Sequence, residues 1–84
     1  MTTRILGIDP GLTRCGIGLI ELGASRRVSL IAVDTYRSEP TEDLSVRVGS
    51  IGLQIEDLIQ AEQPQVIAIE RVFSQQNLST VMGT

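Results

Sequence analysis

Two apolar runs in this chain end on an acid. "RILGID" closes at Asp9 and "VIAIE" closes at Glu70. Open α/β sheets bind ligands at the C-terminal edge of their strands, so acids at two strand ends mark a place where chemistry can be done. If the two strands are parallel neighbours, the carboxylates stand about 4.8 Å apart, one strand spacing. Like charges that close repel, and a divalent cation between them relieves the repulsion. Magnesium suits such a pair, because it prefers oxygen ligands and commonly takes one or two protein carboxylates plus substrate phosphate. With two ions about 3.5–4 Å apart, one activates a water and the other steadies the leaving oxygen of a phosphodiester. The chemistry implied is metal-assisted phosphodiester hydrolysis, with Asp9 and Glu70 as metal ligands and catalytic groups.

Each acid also has a plainer reading. Asp9-Pro10-Gly11 is a common turn opener in which the aspartate bonds backbone N–H groups. A glutamate closing a strand is commonly just solvated. Their joint placement favours a site, and side-chain parity adds to it. Asp9 shares a strand face with Gly7 and Ile5, and Glu70 with Ala68 and Val66, while Ile8 and Ile69 point the other way. The residue below each acid is therefore small, leaving a notch for a further element that brings more ligands.

The elements that would position these acids follow from the pattern. Arg4 to Asp9 reads as a first strand, and Pro10-Gly11 opens a turn that cannot continue a ladder. Gly16 to Leu22 and Arg27 to Arg37 read as a second and a third, joined by a hairpin over 23–26. The result is an antiparallel meander. Leu44, Val48, Ile51, Ile55, Leu58 and Ile59 then step by three and four, predicting an amphipathic helix. Thr41 is the expected N-cap, with Glu42 and Asp43 at the positive end of the helix dipole, and Pro64 helps to end the helix. Gly49 and Gly52 offer either a closely packed helix face or a tolerated weakness. Val66 to Glu70 is the fourth strand, parallel to the first if the helix makes a right-handed crossover. A strand covered on one face by a single helix needs a second cover, so the chain reads as the first part of a larger α/β domain.

Composition narrows the alternatives. With 84 residues the chain is one domain or less, and 42% apolar with 20% charged residues is the make-up of a globular protein. No run is long and apolar enough to span a bilayer, and no secretory signal is evident. A lone cysteine, Cys15, fits a reducing compartment and reads as an inert small residue. The absence of histidine excludes the usual N/S zinc site. A net charge of −3 argues mildly against nucleic acid. All basic residues are arginines, of which Arg14 and Arg71 lie near the proposed site and are candidates for phosphate contact.

"GIDPGLTRCGIGLIE" together with "IAIERVF" resembles the RuvC family of bacterial Holliday junction resolvases, over essentially the whole chain. The resemblance implies a ribonuclease H-like mixed sheet: three-strand meander, crossover helix and a fourth strand parallel to the first. It implies that residues 1–84 are the N-terminal part of a single such nuclease domain. The activity implied is that of a crossover junction endodeoxyribonuclease, paired nicking of four-way DNA junctions in recombination and repair. The implied cofactor is magnesium, two ions per active site, with manganese able to substitute. The implied partners are junction DNA, a second copy in a homodimer and the branch-migration helicase complex (RuvA and RuvB). The implied location is the bacterial cytoplasm, with no membrane. Asp9 falls on the family's first catalytic carboxylate and Glu70 on its second. Phe73 falls on the aromatic that stacks on bases at the opened junction, its alternative being packing under a following helix. The family's remaining acids have no counterpart here, so the 84-residue chain alone is expected to be inactive. An actin-like or sugar-kinase-like ATPase shares the opening strand–aspartate–glycine turn, and a RuvC-like nuclease acting on ribosomal RNA precursors shares the motifs. Both stay open at this point.

Overall fold

The computed structural model describes residues 2–70. Three strands come first, β1 (Thr3–Asp9), β2 (Arg14–Leu22) and β3 (Val28–Arg37), followed by helix α1 (Leu44–Glu62) and strand β4 (Val66–Ile69). They form one mixed sheet in the order β3-β2-β1-β4. The meander is antiparallel, and β4 returns parallel to β1. This is the ribonuclease H-like arrangement that the two motifs imply.

Alternation sorts the side chains. Leu6, Ile8, Cys15, Ile17 and Leu19 face α1 and are buried, with Ile51 inserted from the helix. Leu6 and Leu19 are completely buried, each worth about 1.5–3 kcal/mol. Ile55, Leu58 and Ile59 complete the helix contact as the periodicity predicts, whereas Leu44 and Val48 are exposed. Tyr36 packs at the margin of this core. Desolvation first, then the charges of Asp34 and Asp57, hold its phenol pKa above the ordinary value, so it stays neutral.

Arg4 anchors the β1/β4 register. Its guanidinium reaches Glu21 at 3.1 Å and Glu62 at 2.7 Å, and its backbone N–H donates to Gln65 Oε1 at 2.7 Å. The Gln65 N–H donates back to the Arg4 carbonyl at 3.0 Å. The end of α1 and the start of β4 are thereby tied to the start of β1, which sets what lies beside what at the other end.

Two local details differ from the sequence expectation, and a third settles one of its alternatives. β2 begins at Arg14, two residues before Gly16. The helix N-cap is Asp43, not Thr41, and Asp43 makes no side-chain capping bond. The physical reason is a turn over 39–42, closed by the Glu42 N–H on the Glu39 carbonyl at 3.0 Å, which places Thr41 inside the turn. Gly49 and Gly52 meet nothing within 4 Å, so no close helix contact uses them among the described residues. At the other end Gln63 takes a left-handed conformation (φ 50°), and its N–H bonds the Ile59 carbonyl, one residue before Pro64.

Candidate active site at the strand ends

Parallel pairing sets Gly7 beside Ala68 and Ile8 beside Ile69. The ladder runs one bond past β4, with the Glu70 N–H donating to the Ile8 carbonyl at 2.9 Å. Asp9 and Glu70 therefore follow adjacent, parallel strand partners at one edge of the sheet. Both are exposed. They line one hollow of about 590 Å³, whose other walls include Gly7, Gly16, Gly18 and Ala68. This hollow lies on the face that α1 does not cover, since the residues alternating with these are the buried ones under the helix.

The floor of the hollow is almost bare of side chains. Gly7 pairs with Gly18 across β1 and β2, and Asp9 pairs with Gly16. A Cβ at Gly16 would stand 3.7 Å from the Cβ of Asp9, and one at Gly7 would stand 3.7 Å from the Gly18 carbonyl oxygen. A first carbon fits at both places, and a branched side chain would enter the space over the acids. Gly7 and Ala68 follow from parity within the sequence. Gly16 and Gly18 do not, because their role needs the β1/β2 register. Their spacing of two along β2 was the available signal.

The turn that carries Asp9 into β2 is held from two sides. A side chain at Gly11 would collide with the Arg14 carbonyl, so the tight turn requires glycine there. The Leu12 carbonyl accepts a 2.6 Å bond from the hydroxyl of Ser38, which is buried. Arg47 of α1 donates to that same Ser38 oxygen at 3.0 Å and to the Thr13 hydroxyl at 3.1 Å. One helical arginine thus joins the end of β3 to the turn after Asp9. Nothing in the sequence pattern pointed to this contact.

The donor set suits a hard cation. Asp9 and Glu70 offer only carboxylate oxygens, and no group of three or more His, Cys, Asp or Glu side chains gathers among the described residues. Two exposed carboxylates with open space above them match an ion that keeps waters and takes further oxygens from its substrate. Phe73 and Arg71 lie outside the described residues. Arg14 is exposed at the head of β2, and Cys15 is buried against the core. No helix among the described residues is long and apolar enough to cross a membrane.

Comparison with known proteins gives the chain's family and the likeness of its fold. The family model described as crossover junction endodeoxyribonuclease RuvC matches residues 5–84. A protein of that name from Clavibacter michiganensis is 54% identical over 80 residues, covering 95% of this chain and 40% of its own length. One from Mycobacterium ulcerans is 49% identical over 81 residues, covering 96% of this chain and 44% of the relative. The chain thus spans about 40% of the length of the curated relatives it matches. Among solved structures, Thermus thermophilus RuvC in complex with Holliday junction substrate superposes with a TM-score of 0.77 at 26% identity. That match covers 94% of this chain and 51% of the other.

Proposed function

Because this chain belongs to the RuvC family of crossover junction endodeoxyribonucleases, we propose that it supplies half of a metal-dependent active site that nicks four-way DNA junctions. The observation that carries the proposal is the shared hollow: two acids at the ends of adjacent parallel strands, over a floor of glycine and alanine. Residues 1–84 are read as the N-terminal part of one nuclease domain, whose remaining acids come from further along the full-length protein. The 84-residue chain by itself is then inactive.

Asp9 and Glu70 are the residues that would hold magnesium, or manganese in its place. A bound ion pair would supply an activated water and charge stabilisation for the departing oxygen of the phosphodiester. The protein's own residues do the remaining work. Gly11, Ser38 and Arg47 fix the turn behind Asp9. The Arg4 anchor sets the register that places Glu70 next to it. The bare floor leaves room for a ligand-bearing segment and a DNA strand to meet the acids. Phe73 is proposed to stack on a base at the junction centre, an interaction worth about 1–3 kcal/mol. A homodimer would present two such sites to the two strands that must be cut, and a branch-migration helicase complex is the expected further partner. Such chemistry belongs to the bacterial cytoplasm.

Family membership argues against the ATPase reading, as does Pro10, which has no N–H to offer a phosphate where that fold wants a donor. Cleavage assays on the full-length protein with magnesium separate the remaining possibilities. A mobile four-way junction is expected to be cut at least about 10²-fold faster than a linear duplex of the same sequence, a discrimination of about 2.7 kcal/mol. Equal rates on the two DNAs, faster cleavage of structured RNA, or tight Mg-ATP binding without cleavage would each overturn the junction reading.

A further inference from the structure

The arginines of this acidic chain are not spread evenly over the fold. Arg4 lies at the start of β1, and Arg26 and Arg27 lie in or beside the β2–β3 hairpin, all at the end of the sheet remote from Asp9. Arg14 and Arg37 lie at the acid-bearing end. The register makes them direct partners, Arg14 at the head of β2 facing Arg37 at the tail of β3. Parity puts both on the hollow's side of the sheet. Arg14 shares its strand face with Gly16 and Gly18, Arg37 with Thr35 and Val33, and all four of those residues line the hollow. Their neighbours Cys15 and Tyr36 turn the other way, into the helix-side core. Both arginines are exposed, and among the described residues neither has a carboxylate within ion-pair distance, the pairs there being those of Arg4.

Like charges directly opposite on neighbouring strands are destabilising. Two unpaired arginines at directly paired positions suit an anion, since a planar guanidinium matches phosphate oxygens in a bidentate fork. From this we propose that the Arg14–Arg37 pair is a phosphate clamp. It holds a backbone phosphate of the nucleic-acid strand whose neighbouring phosphodiester lies over Asp9 and Glu70. The acids attract the metal and repel the DNA backbone. The arginine pair, on the two strands β2 and β3 next to β1 and on the same face, offsets that repulsion and fixes the strand's path across the sheet edge. In a chain of net charge −3, this pair puts two positive charges at the end of the sheet that carries the acids, where the strand passes. The proposal rests on the nuclease reading, and its contacts are to phosphate, so they carry no sequence information.

The test is a salt titration of DNA binding with the full-length protein, in calcium to suppress cleavage, using a fluorescent four-way junction and a linear duplex. Affinity is compared for wild type, Arg14→Gln/Arg37→Gln, and the remote-end control Arg26→Gln/Arg27→Gln. Each lost phosphate contact lowers the slope of log K against log[salt] by about 1. The clamp variant is expected to lose about 1–2 units of slope and about 10–100-fold in affinity, on every sequence alike. The control keeps its slope. Thermal melting is expected at or above the wild-type temperature for the clamp variant, since a repulsive pair has been removed. An unchanged slope in the clamp variant, or an equal fall in the control, overturns the proposal. Failure of the nuclease reading appears separately, as a wild-type protein that binds junction no better than duplex while the clamp variant still shows its loss of slope.

Discussion

Asp9→Asn and Glu70→Gln are each expected to lower junction cleavage by the full-length protein about 10³-fold or more, without weakening its hold on DNA. Asparagine and glutamine keep the size and hydrogen-bonding oxygen of the acids but lose the charge that draws a divalent ion. Metal-borne charge stabilisation is worth several kcal/mol, and each 1.36 kcal/mol is tenfold in rate. Both residues are exposed and stand at strand ends outside the buried core, so folding is indifferent to the change. Junction affinity without metal is expected to stay level or rise, because one negative charge facing the DNA backbone has been removed. Rates for both variants within tenfold of wild type would contradict the assignment. The check is a single-turnover cleavage assay beside a binding titration in the same buffer.

The second large effect concerns residues with no chemistry of their own. Gly16→Val, Gly7→Val and Ala68→Leu each put branched carbon into the hollow from its floor. At Gly16 the new Cβ lies 3.7 Å from the Cβ of Asp9, so its methyl groups compete directly for the space the carboxylate uses. Displacing a metal ligand by about 1 Å is enough to cost about 10²-fold in rate. Stability should not fall with it. A first carbon is tolerated at both glycines, and replacing a strand glycine removes an entropic cost of about 0.5–1 kcal/mol. Cleavage is therefore expected to drop about 10–10²-fold while the urea midpoint holds or rises. Wild-type rates in all three variants would show that the bare floor has no role. A matching loss of stability would assign it to folding.

The acids were legible because they interrupt apolar strands, and Gly7 and Ala68 because strand parity is a property of one strand at a time. The β1/β4 pairing was legible as well, since one crossover helix between two strands leaves few other topologies. What needed coordinates was every feature built across strands or between strand and helix. Gly16 joins the site only through its register with Asp9. Arg37 joins Arg14 only through the register of β2 and β3, which is shifted between Leu19 and Ile20. Arg47 reaches Ser38 and Thr13 from a helix more than thirty residues after the turn it steadies. Thr41 was misplaced for a local reason, because Pro40 draws it into a turn that competes with the helix cap. The family resemblance supplied the remainder, and Phe73 rests on it alone.

Anomalous scattering from crystals of the full-length protein soaked in manganese tests the metal site most directly. A manganese peak within about 2.3 Å of a carboxylate oxygen of Asp9, in a cluster that also engages Glu70, is the expected result. Manganese bound by other residues while both of these carboxylates stay bare would contradict it.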